Sequence, residues 1–268
     1  MAGNQRMHWL GRPEDRQRLA FLCLPGQPFG AAVFAPLAAA LAPEHPVCVH
    51  PGAWPPVRSD ADADADADGA RVLEQCGSET VVLVAQGHAA PDAVALARRC
   101  PDRIAGLVVL GPPSGGLAAA APIAAWLRAV TESQAFDRLV PEDLFVLYRR
   151  RAGEGVQRLD AALVDRLEDE VDGARIGELR AALEPPATGP APATTERCAV
   201  PVLLVAGDRD QCLVEAEASR WLQARFGDCR TVLLPGVGHL ALLESVDIVA
   251  SIVSTFAREL FASWPDRR

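Results

Sequence analysis

Two polar residues near the C-terminus have the types and placement of an acid–base pair. Asp210 ends the turn Gly207-Asp208-Arg209-Asp210 after the apolar run Pro201–Val205, and His239 follows Gly238 just past the run Arg230–Leu234. A carboxylate bonded to one imidazole nitrogen fixes the ring tautomer. It also stabilises the imidazolium that forms when the other nitrogen takes a proton. A turn Asp or a loop His alone is usually a plain surface residue; their joint placement makes Asp210 and His239 the catalytic candidates, with Asp208 the fallback acid.

The group such a pair normally activates is a nucleophile, and here it is missing. The segment Ala85-Gln86-Gly87-His88-Ala89-Ala90-Pro91 joins a buried run, Thr80–Val84, to an apolar-faced helical segment, Pro91–Cys100, and holds no Ser, Cys or Asp. Ser78 and Ser114 are the nearest serines, and neither sits on a strand-to-helix turn.

The elements that must position these residues follow a β–α rhythm. Apolar runs at Leu19–Leu24, Pro46–His50, Thr80–Val84, Ile104–Leu110, Pro201–Val205 and Arg230–Leu234 do not alternate with polar residues, as expected of parallel strands buried on both faces. Met7–Leu10 reads as part of an antiparallel edge hairpin. Helical segments with one apolar face lie at Ala31–Leu41, Pro91–Cys100, Val214–Phe226 and Val246–Phe261. Each run ends in a turn, and the carboxyl edge of a parallel sheet is where ligands bind. The rhythm breaks between 114 and 198, where charged helical stretches (Phe145–Arg151, Val164–Val171) precede a Pro/Ala/Thr-rich linker, Pro185–Thr195. The division is therefore a core of 1–113 and 199–268 with an insertion, 114–198, as a helical cap.

This arrangement resembles the α/β-hydrolase superfamily, whose chain order is nucleophile, acid, histidine. The resemblance implies a doubly wound, mostly parallel α/β sheet with an inserted helical cap. The family's elbow is Gly-x-Ser-x-Gly. In the ungapped register, which runs on to Pro101-Asp102-Arg103, Gly87 occupies the serine position and Ala85 and Ala89 replace the flanking glycines. A second register sets Gly87-His88-Ala89 against Gly-His-Ser and puts Ala89 there, as in a serine-to-alanine inactivation. Glycine takes φ > 0 without penalty, so an elbow freed of its hydroxyl sheds its strain. The family's oxyanion hole uses the backbone N–H after the nucleophile, here His88. Its second donor comes from the turn Leu24-Pro25-Gly26-Gln27-Pro28-Phe29-Gly30, so Gly26 and Gln27 join the oxyanion or substrate set. That loop, with Ala31–Leu41, resembles its counterpart in type II thioesterases of polyketide and peptide assembly lines. The His88 ring reads either as a helix-start residue turned to solvent or as a substrate contact.

Three functions remain open on these grounds. The first is an enzyme without covalent catalysis, in which Asp210 and His239 carry out cyclisation, elimination, isomerisation, C–C cleavage or water activation on a carbonyl-containing, polyketide-like intermediate. Such a small-molecule substrate would be free or linked to a carrier protein or coenzyme A. The second is a ligand-binding pseudo-hydrolase. The third is a serine hydrolase or thioesterase seen in an inactivated form.

Composition narrows the field. The net charge of −9 over 268 residues disfavours nucleic acid and anionic membrane surfaces as partners. No apolar run is long enough to span a bilayer and no secretory leader is visible, so a soluble cytoplasmic protein is expected. The basic residues are all Arg, which with abundant Ala and Pro suggests a GC-rich bacterial genome. Seven scattered Cys without a Cys-x-x-Cys pair argue against disulfides and thiolate zinc, and two of them, Cys23 and Cys48, read as small buried hydrophobes. No nucleotide, flavin or haem motif appears, and no cofactor or metal is expected. Asp64-x-Asp66-x-Asp68-Gly69 opens like a calcium loop, but position 75 is Gln where the closing Glu belongs, and Glu74 falls one residue early. The acidic run Asp60–Asp68 reads instead as a solvated loop leading into a helix that ends at Cys76.

Overall fold

A computed structural model describes residues 7–10, 19–26, 29–52, 62–112, 159–170, 197–210 and 215–263. Among them, a seven-stranded sheet carries the fold. Its strands are β1 (His8–Leu10), β2 (Ala20–Leu24), β3 (Val47–Val49), β4 (Val81–Gln86), β5 (Ile104–Leu110), β6 (Val202–Gly207) and β7 (Cys229–Leu234), in the spatial order β1-β3-β2-β4-β5-β6-β7. All pairings are parallel except β1 with β3. The segment Met7–Leu10 thus supplies an antiparallel edge strand, as expected, and among the described residues its partner is β3. Crossing over from β2 places β3 outside it, and β1 pairs with that outer strand.

The central strands are apolar throughout because both faces are covered. Phe21 and Cys23 of β2, with Val82 and Val84 of β4, pack against α1 (Ala35–Leu41) and α7 (Val246–Ser263). Leu22, Leu24, Val81, Leu83 and Ala85 face the other way, toward α2 (Asp62–Cys76), α3 (Ala90–Arg99) and α5 (Glu215–Gln223). Side chains alternate across a strand, so continuous apolar runs are what a doubly covered sheet needs. The edge strand β7 departs from this, with Arg230, Thr231 and Leu233 exposed.

The acidic run corrects one expectation. The chain is helical from Asp62, so most of the stretch read as a solvated loop belongs to α2. Alanine at alternate positions favours helix, and Asp suits the first turn, where the helix dipole is positive. Gly69, which a calcium loop would use for its sharp turn, lies inside that helix. Among the described residues no group of His, Cys, Asp or Glu could hold a metal ion.

Within the insertion, α4 (Ala161–Glu170) is described. Its Leu163, Val164 and Leu167 are buried in the same apolar cluster as α1 and α7. The stretches Ser114–Ala121, Phe145–Arg151 and Pro185–Thr195 lie outside the described residues. The short α6 (Ala241–Glu244) precedes α7. No described helix is long and apolar enough to cross a membrane.

Candidate active site

The end of β4 makes the sharpest turn near the expected site. Gln86 is extended, Gly87 takes φ +54°, and the chain passes through the 3-10 turn Gly87–Ala89 into α3. A left-handed residue between a strand and a helix is the shape that lifts a side chain clear of the sheet edge. It falls on Gly87 and not on Ala89, which is buried and helical with φ −75°. Among the described residues, a Cβ added to Gly87 would meet no atom within 4 Å. The turn keeps its left-handed shape, and no described residue fills the volume beside it. Glycine removes the steric cost of that φ, and the backbone itself is not relaxed into another conformation.

The acid and the base come together. Nδ1 of His239 lies 2.9 Å from Oδ2 of Asp210, and their side chains are 4% and 1% exposed. With Nδ1 engaged by the carboxylate, proton exchange falls to Nε2. Asp208, the fallback acid, is used otherwise: its Oδ1 accepts the Gly236 N–H at 2.6 Å and ties the turn after β6 to the turn after β7. The loop carrying His239 is braced from behind by Glu244, whose carboxylate accepts the N–H groups of Gly238 at 2.9 Å and Leu240 at 3.2 Å. Burial pushes the Glu244 carboxyl above the usual range, and the two N–H bonds oppose that shift.

Two further residues shape this site, and sequence reasoning gave them no role. Gly111, just past β5, has φ +51°, and a Cβ there would lie 2.8 Å from the His239 carbonyl oxygen and 3.3 Å from its Nδ1. Only a residue without a side chain lets β5 end so close to the imidazole. Gln86 is fully buried, and its Oε1 accepts the Gly26 N–H at 3.2 Å. The signal for it was a lone carboxamide at the end of an apolar strand.

Gly26 belongs to the same assembly. A Cβ on it would collide with the Gln86 carbonyl and come within 2.7 Å of the His88 nitrogen. Its own N–H is taken by Gln86, so what it contributes is close approach of its loop to the elbow. Gln27 lies outside the described residues. The His88 N–H sits at the start of the elbow turn, where the family places an oxyanion donor. His88 as a residue is partly buried, and burial, with His239 as a second cause, lowers its pKa to about 4. Ser78 is buried before β4, at the opposite edge of the sheet from the elbow.

A family profile described as the alpha/beta hydrolase family matches residues 21–252. The chain belongs to the α/β-hydrolase family. No curated protein sequence matches it. Among solved structures, it is similar to an esterase from Thermogutta terrifontis (TM-score 0.69, 20% identity, covering 95% of this chain and 93% of the other). It is similar also to the carboxylesterase CesB from Bacillus subtilis (TM-score 0.72, 19% identity, 94% and 86% covered). An enol-lactonase from Burkholderia xenovorans aligns with TM-score 0.69 and 17% identity, over 94% and 96% of the two chains. At such identities the likeness concerns the fold of this α/β hydrolase.

Proposed function

We propose that this α/β-hydrolase family member is an enzyme that performs acid–base chemistry on a carbonyl compound without forming an acyl-enzyme. The observation that carries the reading is the left-handed Gly87, with no described atom in place of a side chain, at the carboxyl edge of the same sheet as a buried Asp210–His239 pair. A binding protein would not need a carboxylate–imidazole pair braced by Glu244, so the pair favours an enzyme over a pseudo-hydrolase.

The chemistry follows from the groups at hand. His239 Nε2 takes a proton from water as the water oxygen bonds to the carbonyl carbon. The charge that develops on the carbonyl oxygen faces the His88 N–H. Asp210, bonded to Nδ1, holds the imidazolium in place. When the tetrahedral adduct collapses, His239 returns its proton to the leaving group. The hydrolytic activities named for the similar structures favour this use of water. Drawing the proton from the substrate instead turns the same groups toward elimination, cyclisation, isomerisation or C–C cleavage. Thioester- or ester-like natural-product intermediates, free or carried on a protein or coenzyme A, are the proposed substrates; the thioesterase-like loop at 24–30 supports that class.

Turnover of ester, thioester and enol-lactone panels by the wild type and by His239→Ala tests this reading. The expected result is loss of activity by roughly 10²- to 10⁴-fold in the variant, with no labelling of the wild type by a fluorophosphonate. Full activity in His239→Ala, or stoichiometric labelling of the wild type, would contradict it.

A further inference from the structure

Helix α4 carries a carboxylate on its apolar stripe. Leu163 and Leu167 face the core, and Glu170, one turn further along the same face, would be costly there without partners. It finds them far away in sequence. Its Oε2 accepts the Gly30 N–H and the Ala32 N–H, each at 3.0 Å, and its Oε1 also lies 3.0 Å from the Ala32 nitrogen. These N–H groups open the 3-10 turn Ala31–Phe34, which has no side-chain cap of its own. A carboxylate is the natural partner for unpaired donors at such a start.

The place of this cap in the site gives it meaning. The loop after β2 is held near its start at Gly26, through the Gln86 carboxamide and close approach to the elbow. The Phe29 N–H bonds back to the Gly26 carbonyl at 3.1 Å, and Glu170 grips the chain at Gly30 and Ala32. Gly26 packs against the His88 nitrogen, so fixing this loop fixes the backbone beside the elbow's oxyanion donor, and the second fixing point comes from the segment between β5 and β6.

We propose that Glu170 is a positioning residue that holds Phe29–Ala32, and through the Phe29–Gly26 bond Gly26 itself, against the elbow, so that the segment between β5 and β6 helps to shape the oxyanion site. This rests on the reading of the site given above. The functional test uses Gly87→Ser, assayed with p-nitrophenyl esters, and adds Glu170→Ala or Glu170→Gln. The expected result is a kcat lower by about tenfold or more in Glu170→Ala with little change in KM, and substantial recovery in Glu170→Gln, which keeps an acceptor oxygen. Backbone hydrogen exchange of the otherwise wild-type chain, with and without Glu170→Ala, is the independent measurement. Exchange should speed up over 24–34 and stay unchanged over 90–99. Unchanged exchange over 24–34, or faster exchange with kcat untouched, overturns the proposal. If Gly87→Ser gains no esterase activity, the reading of the site fails, and hydrogen exchange alone then decides for or against Glu170 as the lock on the loop.

Discussion

At the elbow, what counts is a side chain that is absent in a backbone shape that persists. Gly87 holds φ +54° with no described atom within reach of an added Cβ. The neighbouring His88 is the residue whose charge state answers most directly to this environment. Its pKa is lowered from 6.5 to about 4, first by burial and then by His239. The unfolded chain therefore takes up a proton near pH 6.5, whereas the folded chain resists until about 4. Between these values the unfolded state binds more protons, so His88 contributes stability above pH 6.5 that is lost as pH falls toward 4. Imidazole NMR should show the His88 ring neutral through pH 6, and His88→Gln should flatten the acid limb of the urea midpoint against pH. A His88 titration near 6.5, or an acid limb identical in His88→Gln, would show that the ring is solvated. His45 and His50 are also shifted down by burial and add to the wild-type slope in the same direction.

The elements place these residues through close contacts between strand ends. The turn after β5 reaches the last loop at Gly111, and the turn after β6 is bonded to the turn after β7 through Asp208. Gly111→Ala would force a methyl against the His239 carbonyl oxygen and ring while the residue holds φ +51°. A loss of about 1–3 kcal/mol of stability is expected in denaturant melts, with a larger proportional loss of turnover as the imidazole is displaced. Unchanged activity in a folded Gly111→Ala would mean that the ring position is not critical. Most of this layout was legible in sequence, since parallel strands buried on both faces announce themselves as unbroken apolar runs. The N-terminal segment of α2 was not. Alternating Asp and Ala has the composition of a solvated loop, and neither apolar periodicity nor a breaker marks where the helix begins. The partner of β1 was equally hidden, because strand order depends on a crossover that local pattern does not encode.

Over the whole molecule, the sheet delivers residues from five strand ends to one edge: the loop after β2, the elbow after β4, Gly111 after β5, Asp210 after β6 and His239 from the loop after β7. Turn chemistry made Asp210, His239 and Gly87 readable, since a charged or missing side chain at a strand end stands out against apolar runs. Gln86, Glu244 and Glu170 were harder to see because their work is to bond backbone N–H groups that lie far away or out of register. No residue pattern names those partners before the fold does. The α/β-hydrolase family membership accounts for the scaffold, and the proposed chemistry turns on Gly87 at the nucleophile position. Gly87→Ser tests that point most directly. The substitution should lower stability by about 1–2 kcal/mol, because serine must accept the left-handed backbone, while its Cβ meets no described atom. Intact-protein mass after fluorophosphonate treatment should show one adduct in Gly87→Ser and none in the wild type, with the adduct lost when His239→Ala is added. An adduct in the wild type, or none in a folded Gly87→Ser, would contradict an emptied nucleophile position served by a working Asp210–His239 pair.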